Sequence, residues 1–165
     1  MYPCFDVEGL SPRILLHDWQ WLVSREFRLL AVNAFGDLFL EDAQGAVHRL
    51  DVAGGTISVV ASSSIEFRGA AGDAIQKAEW FLEDHAERAE QRGYKPVKGQ
   101  CVGAKTPWIF KESADVKDNI YVADLYEYVS FMGDIHRQAR DAREGGQIRL
   151  RVRRHPQEKG GRREN

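Results

Sequence analysis

Apolar positions along this chain of 165 residues recur with two different periods, and the switches between them mark its elements. After Ser11-Pro12, the residues Leu15, Leu16, Trp19, Leu22 and Val23 follow three- and four-residue spacing. That is the stripe of an amphipathic helix with proline at its first position, predicted to dock on a sheet. The period then shortens: LLAVNAF, DLFLED, AVHRLDV and TISVVA are β-prone runs separated by Gly36-Asp37, Gln44-Gly45 and Gly54-Gly55. Runs so closely spaced predict an antiparallel meander of about four strands. In the third run His48, Leu50 and Val52 alternate with Val47, Arg49 and Asp51, so one face is expected to be buried and the other to meet water. His48 falls with the apolar set and is read as a hydrogen-bonded core residue with no catalytic role.

Helical spacing returns next. Ser63 with Glu66, and Asp73 with Gln76, have the spacing of a capping residue and its N3 partner, so two helices are predicted to begin there. The second carries Ala74, Ala78, Phe81, Leu82, His85 and Ala89 on one stripe, alternates charge on its outer face, and stops at Gly93. Between 94 and 120 the prolines and glycines interrupt any period, with short strands predicted at Cys101-Val102 and Trp108-Ile109-Phe110. With Asp124 as N-cap and Glu127 at N3, the residues Leu125, Tyr128/Val129, Met132, Ile135/His136 and Ala139 form the stripe of a last helix. Ile148, Leu150 and Val152 then alternate with arginines as a predicted edge strand, and 155–165 is predicted to be a disordered basic tail. The expected architecture is α+β: an N-terminal helix, the meander, then helices with a further helix packed on one sheet face, all in one domain over 1–154.

This length suits one ordinary domain with its own core. No run of 18 apolar residues and no leader pattern occurs, and Cys4 and Cys101 are far apart, so a cytoplasmic protein with two free thiols is expected. The net charge of −2 conceals an asymmetry. Residues 29–136 hold 17 acidic and 10 basic side chains, whereas 137–165 hold 4 and 10. An acidic body therefore precedes a basic end.

The last helix also carries the candidate chemistry. Tyr126, Tyr128, Asp134 and His136 include an acid, a base and an orienting carboxylate. The same residues are the polar tips of a core stripe, and packing is the simpler account. GxSxG, HExxH, GxxxxGK[ST] and GxGxxG are absent, and the histidines at 17, 48, 85, 136 and 155 lack metal-ligand spacing, so neither a metal nor a cofactor is expected. The arginines after 148 have no interleaved aromatics, and no direct nucleic-acid contact is expected of them.

Two segments, AVNAFGDLFLEDAQGAVHRLDVAGGT and GQCVGAKTPWIF with DNIYVADLYEYVSFMGDIHRQ, resemble the C-terminal domain of type VI secretion DNase-immunity proteins, a domain of unknown function often found after a GAD-like domain. The likeness covers about residues 10–142 and departs from the family's glycine-rich turn at WIFKESADVKD; SUKH-like immunity proteins are more distantly similar. Its telling pieces, AFGDLF, GQCVGAKTP, Asn119 and GDIHRQ, have structural explanations in turns, a fixed loop, a backbone-bonding amide and a close approach at Gly133. The resemblance implies a non-enzymatic protein that binds and neutralises a cognate toxin, a nuclease. An acidic surface suits a partner whose site is lined with positive charge, and Glu41, Asp42 and Asp51 near the meander turns are the leading contact candidates. Two alternatives stand beside it: a small hydrolase-like enzyme using Asp134, His136 and Tyr128 or Tyr126, and a regulatory interaction module with an unrelated partner.

Overall fold

A computed structural model of the chain describes residues 2–23, 26–142 and 144–151; the tail at 155–165 lies outside them. Four strands, β1 (Arg28–Val32), β2 (Leu38–Glu41), β3 (Val47–Asp51) and β4 (Thr56–Ala61), pair antiparallel in chain order. This is the predicted meander, and with the N-terminal helix it makes the fold α+β. The first turn uses Gly36 at φ +87°, a conformation that a side chain resists.

The expectation that one sheet face meets water is corrected. Leu38, Leu40, Leu50 and Val52 point into one core, which they share with Leu15, Trp19, Leu125, Val129 and Met132. Leu30, Phe39, Val47 and Ala61 belong to a second core with Phe67, Trp80 and Phe81. Val47, assigned by alternation to the wet face, is fully buried. Helices α2 (Ser64–Ala70) and α3 (Ala74–Phe81) supply that second cover, with the Phe67 and Trp80 rings stacked 5.2 Å apart and Phe39 5.1 Å from Phe67. Both faces are therefore dry over β1 and β2, which accounts for the consecutive buried residues there, whereas β4 stays largely exposed.

Caps form where the sequence places them. Ser11, Ser63, Asp73 and Asp124 each accept a hydrogen bond from a first-turn N–H. Lengths differ. The N-terminal helix α1 (Pro12–Leu15) passes at once into a 3-10 turn, His17–Trp19, and its main neighbour is the last helix, α5 (Leu125–Ala139), rather than the sheet alone. The Trp19 indole donates to the Val129 carbonyl at 2.8 Å and the Trp21 indole to that of Gly133 at 3.1 Å. Gly133 permits this: a Cβ there would lie 2.8 Å from the Asp18 carbonyl oxygen.

The predicted single helix up to Gly93 is two, α3 and α4 (Glu83–Gln91), broken at Leu82 with φ 52°. The break frees carbonyls at the end of α3, and those of Trp80 and Glu79 accept from Asn33 Nδ2 at 3.0 Å and Arg49 Nη1 at 3.2 Å. Asn33 and Arg49 in turn hold the buried Asp37 carboxylate, at 3.0 and 2.7 Å.

Strands β5 (Gln100–Ala104) and β6 (Ile120–Asp124) form a separate antiparallel pair, tethered to the first turn by Val102 N–H on the Ala34 carbonyl at 2.7 Å. Trp108-Ile109-Phe110, expected as a strand, is instead a turn closed by Phe110 N–H on the Pro107 carbonyl. Proline fixes the start of that turn. The predicted edge strand is absent among the described residues of 148–151: Arg151 N–H and carbonyl are taken by the side-chain amide of Gln138 instead of a neighbouring strand.

Two substitutions test this account by chemical denaturation. Asp37→Ala strands the Arg49 guanidinium, whose side chain is 18% exposed, and should cost about 3–5 kcal/mol. Met132→Ala empties a fully buried site in the first core and should cost about 2–5 kcal/mol; losses near zero would show that neither residue is structural.

Candidate functional site

Helix α5 is the natural place to begin, because its polar residues are the candidate catalysts. Tyr126 accepts a hydrogen bond from Ser11 N–H at 2.8 Å, which fixes the start of α1. Two positions on, the Tyr128 hydroxyl accepts from Ala104 N–H at 3.2 Å, and its ring lies where a side chain on Gly103 would be. Burial pushes the Tyr128 hydroxyl up to about 12. Asp134 bonds Arg137 and accepts from Gln138 at 2.9 Å. His136 Nε2 faces two carbonyls, Val52 at 3.2 Å and Ala53 at 3.1 Å. The structure thus sends Tyr126, Tyr128, Asp134 and His136 to four different partners rather than one constellation.

A carbonyl only accepts, so His136 carries its proton on Nε2 and presents Nδ1 as a lone pair. Nδ1 lies against Gly55, in a side chain that is buried. Burial lowers the affinity of this imidazole for a second proton, against the opposing influence of both carbonyls and Asp51. Gly55, at φ +69°, leaves the space that the ring occupies. Beside it runs a groove of about 1150 Å³ between the β3–β4 turn, the end of α5, the 106–112 loop and the 144–150 segment. Trp21, Ile109 and Phe110 line it, with Lys111, Glu112, Arg140 and Glu144 also on its wall. These two acids and two bases balance among the described residues. Among the described residues no group of three or more His, Cys, Asp or Glu could hold a metal ion.

The three acidic candidates fall at two ends of β3. Glu41 pairs with Arg28, Nε to Oε2 at 2.7 Å, and this bond with one from Ser64 holds its carboxyl below the usual range. Asp42 is buried: it accepts from Gln44 and Ala46 N–H at 2.9 and 3.0 Å and meets His48 Nε2 at 2.8 Å. His48, edge-on to the Phe27 ring, chiefly keeps the Asp42 carboxyl low. Asp51 accepts from Gly54 N–H at 2.8 Å across the next turn. Each of the three is bonded within the fold.

More exposed carboxylates lie on α3 and α4, where Glu83 approaches Lys77 at 3.8 Å, Glu87 accepts from Gln91 at 3.4 Å and Glu90 approaches Lys95 at 3.9 Å. Residues 79–91 hold five acids, Glu79, Glu83, Asp84, Glu87 and Glu90, against one base, Arg88, and four of the five are exposed. Arg88 contacts His85 Nδ1 at 2.7 Å. Only Ala89 of α4 is buried. The signal was in the sequence as charge on the outer face of a helix, where it reads equally as a solvated surface.

The His136 tautomer has a pH consequence. The unfolded histidine titrates near 6.5 and the folded one lower, so the unfolded chain binds the proton first. His136 stability should be complete above about pH 6.5 and lost as pH falls through the folded-state value. Urea midpoints of the wild type and His136→Gln should therefore converge on acidification; a constant gap would show that His136 does not titrate differently on folding.

No protein-family model matches the sequence, and no curated protein matches it.

Proposed function

We propose that the protein is a non-enzymatic immunity-type binding protein of the bacterial cytoplasm, which neutralises a cognate toxin, a nuclease of the type VI secretion class, by direct binding. The observation that carries this reading is the acidic ridge of α3 and α4, with five carboxylates to one guanidinium over thirteen positions. A nuclease site that holds phosphates is positive, and a ridge of carboxylates attracts it over roughly a Debye length of 8–10 Å. Glu83, Glu87 and Glu90 follow one another at helical spacing, so they can be presented together. Glu41, Asp42 and Asp51, already bonded at the turns, are better suited to shaping the sheet ends than to meeting a partner.

One observation favours a small hydrolase-like enzyme instead: His136 lines the groove. Its named companions, Tyr128 and Asp134, are bonded elsewhere, which leaves that reading a base without the rest of its machinery.

The experiment pairs this protein with the product of the adjacent reading frame. Expression should rescue growth of cells making that product, and association should slow roughly tenfold from low to high salt with little change in dissociation. Glu87→Lys with Glu90→Lys should reproduce the high-salt rate at low salt. Absence of both binding and rescue with the wild-type protein would end the immunity reading for that pair, and turnover lost with His136→Gln in a folded protein would favour the enzyme.

A further inference from the structure

Strand β4 ends the sheet, and its two sides are unlike. Its inner edge pairs with β3 from Thr56 to Ala61. Along its outer edge no described residue forms a backbone or side-chain hydrogen bond. The opposite margin is contacted at one end, where Val32 N–H of β1 donates to the Cys4 carbonyl at 2.8 Å. Open edges are commonly blocked by a charge, a proline or a bulge. The sequence TISVVA has no charge and no proline, and its one irregularity comes late: His48 pairs with Val59 and Val47 with Ala61, leaving Val60 as the extra residue. Thr56–Val59 is thus a regular, uncharged edge, with Val59 63% exposed.

We propose that this edge is a self-association surface, at which β4 pairs antiparallel with β4 of a second copy about a two-fold axis through Ser58. The choice of a second copy follows from symmetry. In an isologous strand pair every side chain meets the same short sequence again, so a charge anywhere in it would face its own sign. This stretch carries none. The register follows from the pleat. If the sheet continues across a two-fold axis perpendicular to it, opposed residues must have the same parity, and the axis must pass through a residue. Through Ser58, Ile57 of each copy opposes Val59 of the other, and the two serines oppose each other. Ile57 already packs on the first core, and Val59, two residues on, points to the same side beyond it. The contact extends that core and covers the exposed valine.

The regular edge is short beside interfaces that bury about 1,200–2,000 Å², so association should be weak and dependent on concentration. Sedimentation velocity on the full chain should show the average mass rising toward twice the monomer value between low and high micromolar protein. Val59→Lys, a change at an exposed site, should keep the melting temperature and remain monomeric throughout. Amide exchange should slow with concentration at 56–59 in the wild type and not in the variant. A mass constant with concentration, a variant that associates like the wild type, or protection confined to another surface would each overturn the proposal.

Discussion

The buried carboxylate of Asp37 is the interaction on which the rest of the fold is hung. It takes Asn33 Nδ2 and Val52 N–H at 3.0 Å each and Arg49 at 2.7 and 3.2 Å. Burial pushes its carboxyl up, and the Arg49 guanidinium is the chief opposing influence. A lone charge in that position would be very unfavourable. With these donors it joins the first sheet turn to β3 and to the chain just beyond it. Asn33 and Arg49 have capacity left over and use it on the carbonyls of Trp80 and Glu79. One acid thereby sets where α3 can end, and so where Trp80 and Phe81 enter the second core. A buried pair of this kind is weak evidence for stability, because an apolar replacement of the same shape can do as well; here its geometry specifies which element lies where.

That network also marks the boundary of what local sequence can reveal. Helix starts were legible because a cap and its N–H partner are two or three residues apart, as Asp73 and Asp124 illustrate. The meander was legible from turn residues between short apolar runs. The break at Leu82 was not, because Asn33 lies 47 positions from Trp80 and Arg49 lies 30 from Glu79. Nor could alternation in β3 show that its second face would be covered. Alternation assigns side chains to faces, whereas Phe67 and Trp80, which close over Val47, come from later helices. A hint was available in Leu38-Phe39-Leu40, three consecutive apolar residues where a half-wet strand would have put a polar one.

The candidate contacts at the meander turns are engaged locally for a related reason. Aspartate is common in turns because its carboxylate bonds backbone N–H groups a few positions along. Asp42 and Asp51 both do so, and a carboxylate engaged in that way contributes less field to a partner than one facing water. The carboxylates of α4 make longer, more exposed contacts, Gln91 to Glu87 at 3.4 Å and Lys95 to Glu90 at 3.9 Å. The capping position of this helix, Leu82, offers no side-chain bond, and its only buried side is the methyl of Ala89. Selecting acids by sequence region alone therefore favours residues held tightly at turns, and selecting them by exposure favours α4.

Charge by itself would leave the proposed complex short-lived. Long-range attraction raises the rate of encounter, but residence depends on surfaces that exclude water once the partners meet. Helix α2 and the start of α3 carry such surface: Ile65 of α2 is 84% exposed and Ile75 of α3 is 75% exposed. Each follows closely on a capping residue, Ser63 or Asp73, so each is held on an ordered helix rather than a loose loop. Scattered exposed isoleucines are ordinary on protein surfaces. Their place on short, capped helices means that little conformational entropy remains to be lost if a partner covers them. In the proposed complex the carboxylates of α4 would set how fast the partner arrives, and these isoleucines would set how long it stays.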